Sequence, residues 1–370
     1  MSIDPVRGGG TAERSVQIAK ALSRLGCEVS LLTLDMGITT ELKLNLKGVN
    51  LILLRCINRR FYIPGFNFSA LGDAVKNSDM IHLMGHWTLI NALVYYYIRK
   101  FNKPYTVCPA GALPVYGRSK FFKNMYNLLI GKKIVQNADN CLAITRKERS
   151  DFYPYQVQKN KIVLIPNGIN HEDYKYQDNE FIKNKFNISK KMILFLGRLN
   201  YIKGPDILID AFIDLKEKVK NYQLVIVGPD EGMRAKMETA VKKSGNRDDI
   251  KFAGYIGGQE KSKAYHAADL VVIPSRQEAM SIVVLEAGIT GTPVVITDQC
   301  GFDEIDDING GTVVPATIEG VKSGIEKMLF HTNGLAEKGD NLKQFCKKFY
   351  TWDASARKYF EVQQQFIHGL

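Results

Sequence analysis

Two acidic residues, Glu278 and Glu286, stand with seven positions between them in the stretch Ser275 to Pro293, SRQEAMSIVVLEAGITGTP. An ionised carboxylate accepts hydrogen bonds from adjacent hydroxyls, which is the chemistry needed to hold a sugar ring. Between the two, Ser281 reads as a helix N-cap ahead of the apolar run Ile282 to Thr290, with Gly291 placed for a left-handed C-cap and Pro293 blocking continuation. The start of that helix would present the N–H groups of Ile282 and Val283 and a partial positive charge, which favour a phosphate. Glu286 lies one turn into the helix on the face of Ile282, so both carboxylates are expected to border one pocket above the helix start. Phosphate in the middle with a hydroxylated ring on either side is the shape of a sugar nucleotide. Taken alone, the pair reads more simply as two solvated surface groups, the usual state of glutamate in a soluble protein.

Three other groups bear on the same chemistry. Arg198 in Gly197-Arg198-Leu199 and Lys203 in Lys203-Gly204-Pro205 flank a strand-to-helix turn. A guanidinium fork and a point charge placed there would converge on one anion, or remain two exposed basic residues in a basic protein. Arg7-Gly8-Gly9-Gly10 removes side chains where backbone N–H groups could approach a diphosphate, or forms an ordinary flexible turn. His86, just past a strand end in Gly85-His86-Trp87, is a candidate on the acceptor side; like His82, it also reads as a hydrogen-bonded structural residue. There is no Asp-x-Asp triplet and no His/Cys ligand spacing, so neither a metal nor a cofactor is expected.

The elements that must position these residues alternate. The apolar run Leu270 to Ile273, the helix, and Pro293 to Thr297 make a right-handed crossover of a parallel sheet, whose ligands bind beyond the carboxyl ends of the strands. Further strands are predicted at Met192–Leu196, Tyr222–Val227 and Ile250–Ala253. In the first half they are predicted at Glu28–Leu34, Asn50–Leu54, Met80–Leu83, Tyr105–Cys108 and Cys141–Ile144, with a helix over Thr11–Leu25. Only Met1 to Asp4 is left for a strand ahead of the glycines, shorter than the usual five or so residues, so the start is expected to fall within a longer strand. His171 to Lys191 is polar and aperiodic and reads as a linker. The fold class predicted is α/β, with two doubly wound parallel-sheet (Rossmann-like) domains over 1–170 and 171–349.

At 370 residues and 45% hydrophobic, the chain has material for two cores. Fifty Lys and Arg against 38 Asp and Glu leave +12, which admits nucleic acid, an anionic membrane or an anionic small substrate as partner. Regular interleaving of aromatic with basic residues is lacking, which argues against nucleic acid. Six scattered cysteines without Cys-x-x-Cys spacing read as reduced core residues of a cytoplasmic protein. The apolar stretch Thr88–Ile98 is too short to cross a bilayer, and no secretory leader is read. Arg118 to Lys133, RSKFFKNMYNLLIGKK, is a basic amphipathic helix suited to an anionic bilayer, or a core-facing helix with solvated lysines; Arg59-Arg60-Phe61-Tyr62 repeats the theme in a loop.

The segment from Glu278 to Glu286, continued by Gly291-Thr292-Pro293-Val294-Val295, resembles the Glu-x7-Glu segment of the retaining glycosyltransferases of family four, which have the GT-B fold. Gly197-Arg198-Leu199 followed by Lys203-Gly204, and the pair Gly9-Gly10, match the same family. The resemblance implies two domains facing a cleft, with a helix over 350–370 packing back on the first. It implies transfer of a sugar, with retention and without a metal, from a nucleotide-diphosphate donor to a saccharide or lipid-linked acceptor. Arg198, Lys203 and Glu278 are then the expected catalytic set. Arg198 and Lys203 hold the diphosphate with the Gly9-Gly10 loop and the N–H groups after Ser281, while Glu278 holds the transferred sugar. Glu286 holds the ribose, and Tyr255 and Ile256 neighbour the base. The family histidine before a glycine at a first-domain strand end is replaced by Ala110, which implies a donor sugar contacted differently at its distal position, or an inactive homologue. The basic amphipathic segment suits a membrane face, so the setting expected is cell-surface polysaccharide or glycolipid synthesis, with peripheral contact on the inner membrane face. A sugar-nucleotide epimerase or a phosphorylase on the same fold, and a non-catalytic membrane- or nucleic-acid-binding protein, remain the alternatives.

Overall fold

The structure is a computed structural model that describes residues 2–4, 9–65, 67–115, 119–245, 248–330 and 334–367. Arg7, Gly8 and Arg118, and Met1 of the expected first strand, lie outside them. The chain divides into two compact units, Met1–Gly168 with Trp352–Leu370, and Ile169–Thr351.

In the first unit, β1 (Val29–Leu34) pairs in parallel with β2 (Val49–Leu54), while β3 (Cys56–Asn58) and β4 (Ile63–Pro64) make a small antiparallel hairpin. A parallel sheet follows in the order β5 (Ile81–Met84), β6 (Tyr105–Cys108), β7 (Asn140–Ala143), β8 (Ile162–Leu164). The central strands YTVC and NCLA are buried throughout, Thr106 and Asn140 included, as the inner strands of a parallel sheet are. Ser2 to Asp4 form no strand: the Ser2 hydroxyl donates to the Met36 carbonyl, and Ile3 is buried with Val16, Leu42 and Leu46. They pair with no strand, and the parallel strands of this unit stand in two separate sheets among the described residues. The first helix, Gly9–Arg24, buries Arg14 completely. Its guanidinium donates to Asn167 Oδ1 at 2.8 Å, to the Ile165 carbonyl at 2.7 Å and to the Tyr359 hydroxyl at 3.3 Å. These bonds tie the helix both to the end of β8 and to the helix Trp352–Ile367, which belongs to this unit.

The second unit is a single parallel sheet of β9 (Lys191–Leu196), β10 (Tyr222–Val227), β11 (Ile250–Gly254), β12 (Leu270–Ile273), β13 (Val294–Thr297) and β14 (Gly311–Val314). Its order is β11-β10-β9-β12-β13-β14. The chain winds outward from β9 to β11, crosses back, and winds outward again from β12. Order therefore reverses between β9 and β12, where loops diverge and a crevice opens. The helix Pro205–Asp214 packs Ile207, Leu208, Ala211 and Phe212 into the core with Ile193, Phe195, Leu224 and Val272.

The stretch expected as a linker is part of this unit. His171–Tyr174 forms a short turn and Asn179–Phe186 a helix, with Ile182 and Phe186 buried one turn apart. Two apolar anchors among charges are enough to dock a short helix, though they leave little periodicity to read. Among the described residues no helix is long and apolar enough to cross a membrane.

Candidate functional site

At the reversal between β9 and β12 the two following loops touch backbone to backbone. Gly204 has φ +65, and a Cβ there would lie 2.2 Å from the Pro274 carbonyl oxygen, so no other residue fits. Arg276 laces the loops together. Its main-chain N–H donates to the Ile202 carbonyl at 2.7 Å, and its guanidinium forks onto both oxygens of Asp206 at 2.8 and 2.7 Å while Nη1 reaches the Tyr201 carbonyl at 2.8 Å. The same guanidinium lies 4.0 Å from the centre of the Tyr201 ring.

This lacing sets Lys203 Nζ 2.8 Å from Glu278 Oε2, while Glu278 Oε1 accepts from the Ser275 hydroxyl at 2.5 Å. Arg198 goes elsewhere: Nη1 is 3.1 Å from Glu231 Oε1, at the surface, and Glu231 also accepts from Asn200 at 2.6 Å. Arg198 and Lys203 therefore do not converge on one point. Glu231 follows β10 and Glu278 follows β12, on opposite flanks of β9, so the two carboxylates draw the two cations apart.

Ser281 occupies the N-cap position of the helix Ile282–Thr290 with extended backbone, and Gly291 closes it at φ +88. The Ser281 hydroxyl makes no capping bond; it is buried and without a partner. The helix start is thus uncapped by that side chain, with Ile282 and Val283 half-buried behind it.

Glu286 is buried. Oε1 accepts from the Tyr174 hydroxyl at 2.7 Å and from the Lys261 ammonium, and Oε2 from the Tyr265 hydroxyl at 2.6 Å. Burial, and then the charge of Glu286, push the Tyr265 hydroxyl well above its ordinary pKa, so it remains a donor. Tyr174 and Lys261 also line a cleft of about 610 Å³ together with Gly197, Arg198, Gly228, Tyr255 and Ile256. Tyr255 is exposed and Ile256 buried. Neither glutamate lines this cleft. Glu286 is bonded to Tyr174 and Lys261, which do line it, and Glu278 is held at Lys203. The face of the helix that carries Glu286 meets the helix Gly258–Ala267 instead.

Tyr174, Lys261 and Tyr265 were not singled out from the sequence. Lys261 and Tyr265 are four apart on one helix, a spacing that puts both on one face and could have been noticed; Tyr174 was hidden in the supposed linker.

In the first unit, Gly9 and Gly10 are the opening residues of a helix rather than a loop before it, and open space surrounds the position of a Cβ on either. His86 is buried, with Nε2 2.9 Å from Asn127 Oδ1 and the rings of Trp87, Tyr126 and Tyr155 set edge-on around it. Burial pushes it down to about 4, so it is neutral near pH 7. Ala110 has φ +52, and the next N–H, of Gly111, donates to the buried Glu148 carboxylate at 2.5 Å.

Residues 177–348 match the family model of glycosyl transferases group 1, and residues 8–173 that of glycosyltransferase family 4. The chain belongs to the family-four type of glycosyltransferase. It is 29% identical to an uncharacterized glycosyltransferase of Methanocaldococcus jannaschii over 96% of this chain and 94% of that one. It is 34% identical to the lipopolysaccharide glucosyltransferase WaaG of Escherichia coli over 47% of this chain and 48% of that one. The structure of Anabaena HepE in complex with UDP superimposes with a TM-score of 0.77 at 16% identity, covering 97% of each chain. That likeness is one of fold, the two Rossmann-like units of GT-B glycosyltransferases. Within this glycosyltransferase, no group of three His, Cys, Asp or Glu side chains among the described residues is placed to hold a metal ion.

Proposed function

We propose that this glycosyltransferase moves a sugar, with retention at the anomeric carbon, from a nucleoside diphosphate donor to a saccharide or lipid-linked acceptor. Its setting would be the cytoplasmic side of the membrane, in the assembly of cell-surface polysaccharide or glycolipid. The leaving diphosphate departs only where its growing charge is met by donors already in place. Arg198, Lys203 and the N–H groups of Ile282 and Val283 supply that charge in this reading, and no metal is assigned the task. The base lies against Tyr255 and Ile256, the ribose hydroxyls take over Glu286 from Tyr174 or Lys261, and Glu278 holds hydroxyls of the sugar being transferred.

The observation that carries the proposal is the uncapped, phosphate-competent helix start beside a Lys-carboxylate pair at the sheet's reversal point. UDP bound to HepE supports a uridine nucleotide among the donors to be tried, and the named activity of WaaG supports a lipopolysaccharide-like acceptor.

The test is thermal stability against uridine, guanosine and adenosine diphosphates. One of them at a hundredfold its dissociation constant should add about 2.7 kcal/mol. Arg198→Ala and Glu286→Ala should each abolish that gain; nucleotide binding that both variants leave intact refutes the assignment. Loss of donor sugar without any acceptor would instead indicate an epimerase.

A further inference from the structure

Tyr201 stands between Arg198 and Lys203 in the loop that follows β9, and it is 67% exposed. An aromatic ring left in water on a loop is usually free to turn. This ring is held. The Arg276 guanidinium lies 4.0 Å from its centre and is itself fixed, forking onto both oxygens of Asp206 and donating to the carbonyl of Tyr201 at 2.8 Å. A fixed cation therefore covers one face of the ring and leaves the other open. Ile202, 47% exposed, extends the open apolar surface beside it.

The surroundings narrow what such a surface takes. Tyr201 does not line the cleft of about 610 Å³ where Tyr255 and Ile256 are assigned the base. It belongs instead with Lys203 on its own loop and, through Arg276, with the loop that carries Glu278. The charge of Arg276 is already paired with Asp206, so the ring is not the edge of an anion site. A hexose in its pyranose form carries C–H groups on a flat face and hydroxyls around its rim. The face buries against an aromatic ring, and the rim is left for carboxylates such as Glu278. With the ring ordered beforehand, binding costs little side-chain entropy.

We propose that the open face of Tyr201 is a saccharide subsite, a platform on which the C–H face of a pyranose ring stacks. The inference rests on the reading that places the transferred sugar at Glu278. The ring it takes is that of the donor sugar or of the acceptor saccharide.

Two arms of one experiment on the full chain separate these sources. Calorimetry compares UDP with UDP-glucose and GDP with GDP-mannose, and saturation-transfer NMR follows methyl glucoside and methyl mannoside. Where the donor ring stacks, Tyr201→Ala should weaken the sugar nucleotide about tenfold relative to its nucleoside diphosphate. Where the acceptor ring stacks, it should remove transfer to the ring protons of the glycoside. Tyr201→Phe and Tyr201→Trp keep a flat ring and should retain either signal. The nucleoside diphosphate alone should bind all these variants as it binds the wild type, because Arg276, Asp206 and main-chain groups lace the two loops without the ring. Equal loss of nucleoside diphosphate and sugar nucleotide in Tyr201→Ala, with the glycosides unaffected, overturns the proposal and leaves the ring a brace for its loop. So does a Tyr201→Ala chain that matches the wild type in both arms, or a wild type on which neither arm detects the sugar. A wild-type dimer that Tyr201→Ala makes monomeric, with both arms unchanged, overturns it as well. If neither nucleotide binds, the donor-site reading fails and the glycoside arm alone decides.

Discussion

The two units finish their parallel sheets in different ways. Beyond the strands of the second unit, loops and helix starts carry ion pairs whose cations are at least partly open to solvent: Lys203 with Glu278, Arg198 with Glu231, Lys261 with Glu286. Beyond the strands of the first, the polar groups are sunk. Glu148 is consumed by the N–H groups of Gly111 and Ile144, His86 is neutral among aromatic rings, and Arg14 is spent on two carbonyl-type oxygens and a hydroxyl. An exposed pair such as Arg198 with Glu231 is worth about 1 kcal/mol or less, so its partners can be exchanged for a ligand's at little cost. A buried charge whose partners are removed is left uncompensated, at roughly 3–5 kcal/mol. One edge is built to change partners, the other to stay as it is.

The largest expected effect tests the rigid edge. Arg14→Ala takes a donor from three neutral buried acceptors, Asn167 Oδ1, the Ile165 carbonyl and the Tyr359 hydroxyl, and opens a void, and should cost about 3–5 kcal/mol in urea unfolding. Arg198→Ala should change stability by less than about 0.5 kcal/mol. Equal losses in the two variants would erase the contrast.

The pH dependence sharpens it. With His86 pushed down to about 4, the unfolded chain, titrating near 6.5, binds the proton first. The stability that a neutral His86 brings to the first unit is then whole above about pH 6.5 and falls by up to about 3 kcal/mol as pH drops from there through 4, and His82, also pushed down to about 4 by burial, adds to the loss. Both tryptophans, Trp87 and Trp352, lie in the first unit, so their fluorescence follows this loss. An unfolding midpoint unchanged between pH 7 and pH 5 would contradict it.

Tyr265→Phe keeps the ring and removes one donor from Glu286 Oε2. A loss of about 1–2 kcal/mol is expected, with nucleotide affinity down roughly tenfold; affinity unchanged would mean that the carboxylate needs no support. The smallest effect belongs to the clamp: Asp206→Asn should cost about 1 kcal/mol or less and lower nucleotide affinity and kcat together by a few-fold, since it loosens the loop that sets Lys203 at the diphosphate.

The crossover from Leu270 to Thr297 was legible because each of its signals is local: two unbroken apolar strands, a left-handed glycine cap, a proline stop. What escaped was long-range. Glu286 meets a tyrosine 112 positions away, and Arg198 a glutamate 33 positions away, pairings that no spacing rule reaches. β14, GTVV after a single glycine, has only two strongly apolar residues and does not stand out. Hydrophobic patterning showed that Lys120–Gln136 has an apolar side but not whether that side points inward; in its middle it is Asn127 and Gly131, a polar and a small residue, that are buried, while Leu128 and Leu129 are exposed.

The most direct measurement is a crystal structure of the chain with the nucleoside diphosphate that stabilises it most. The account predicts the ribose hydroxyls on Glu286, with Lys261 or Tyr174 displaced, and the diphosphate at Lys203, Arg198 and the N–H groups of Ile282 and Val283. A nucleotide bound elsewhere, with the Lys203–Glu278 and Lys261–Glu286 pairs intact, would contradict it.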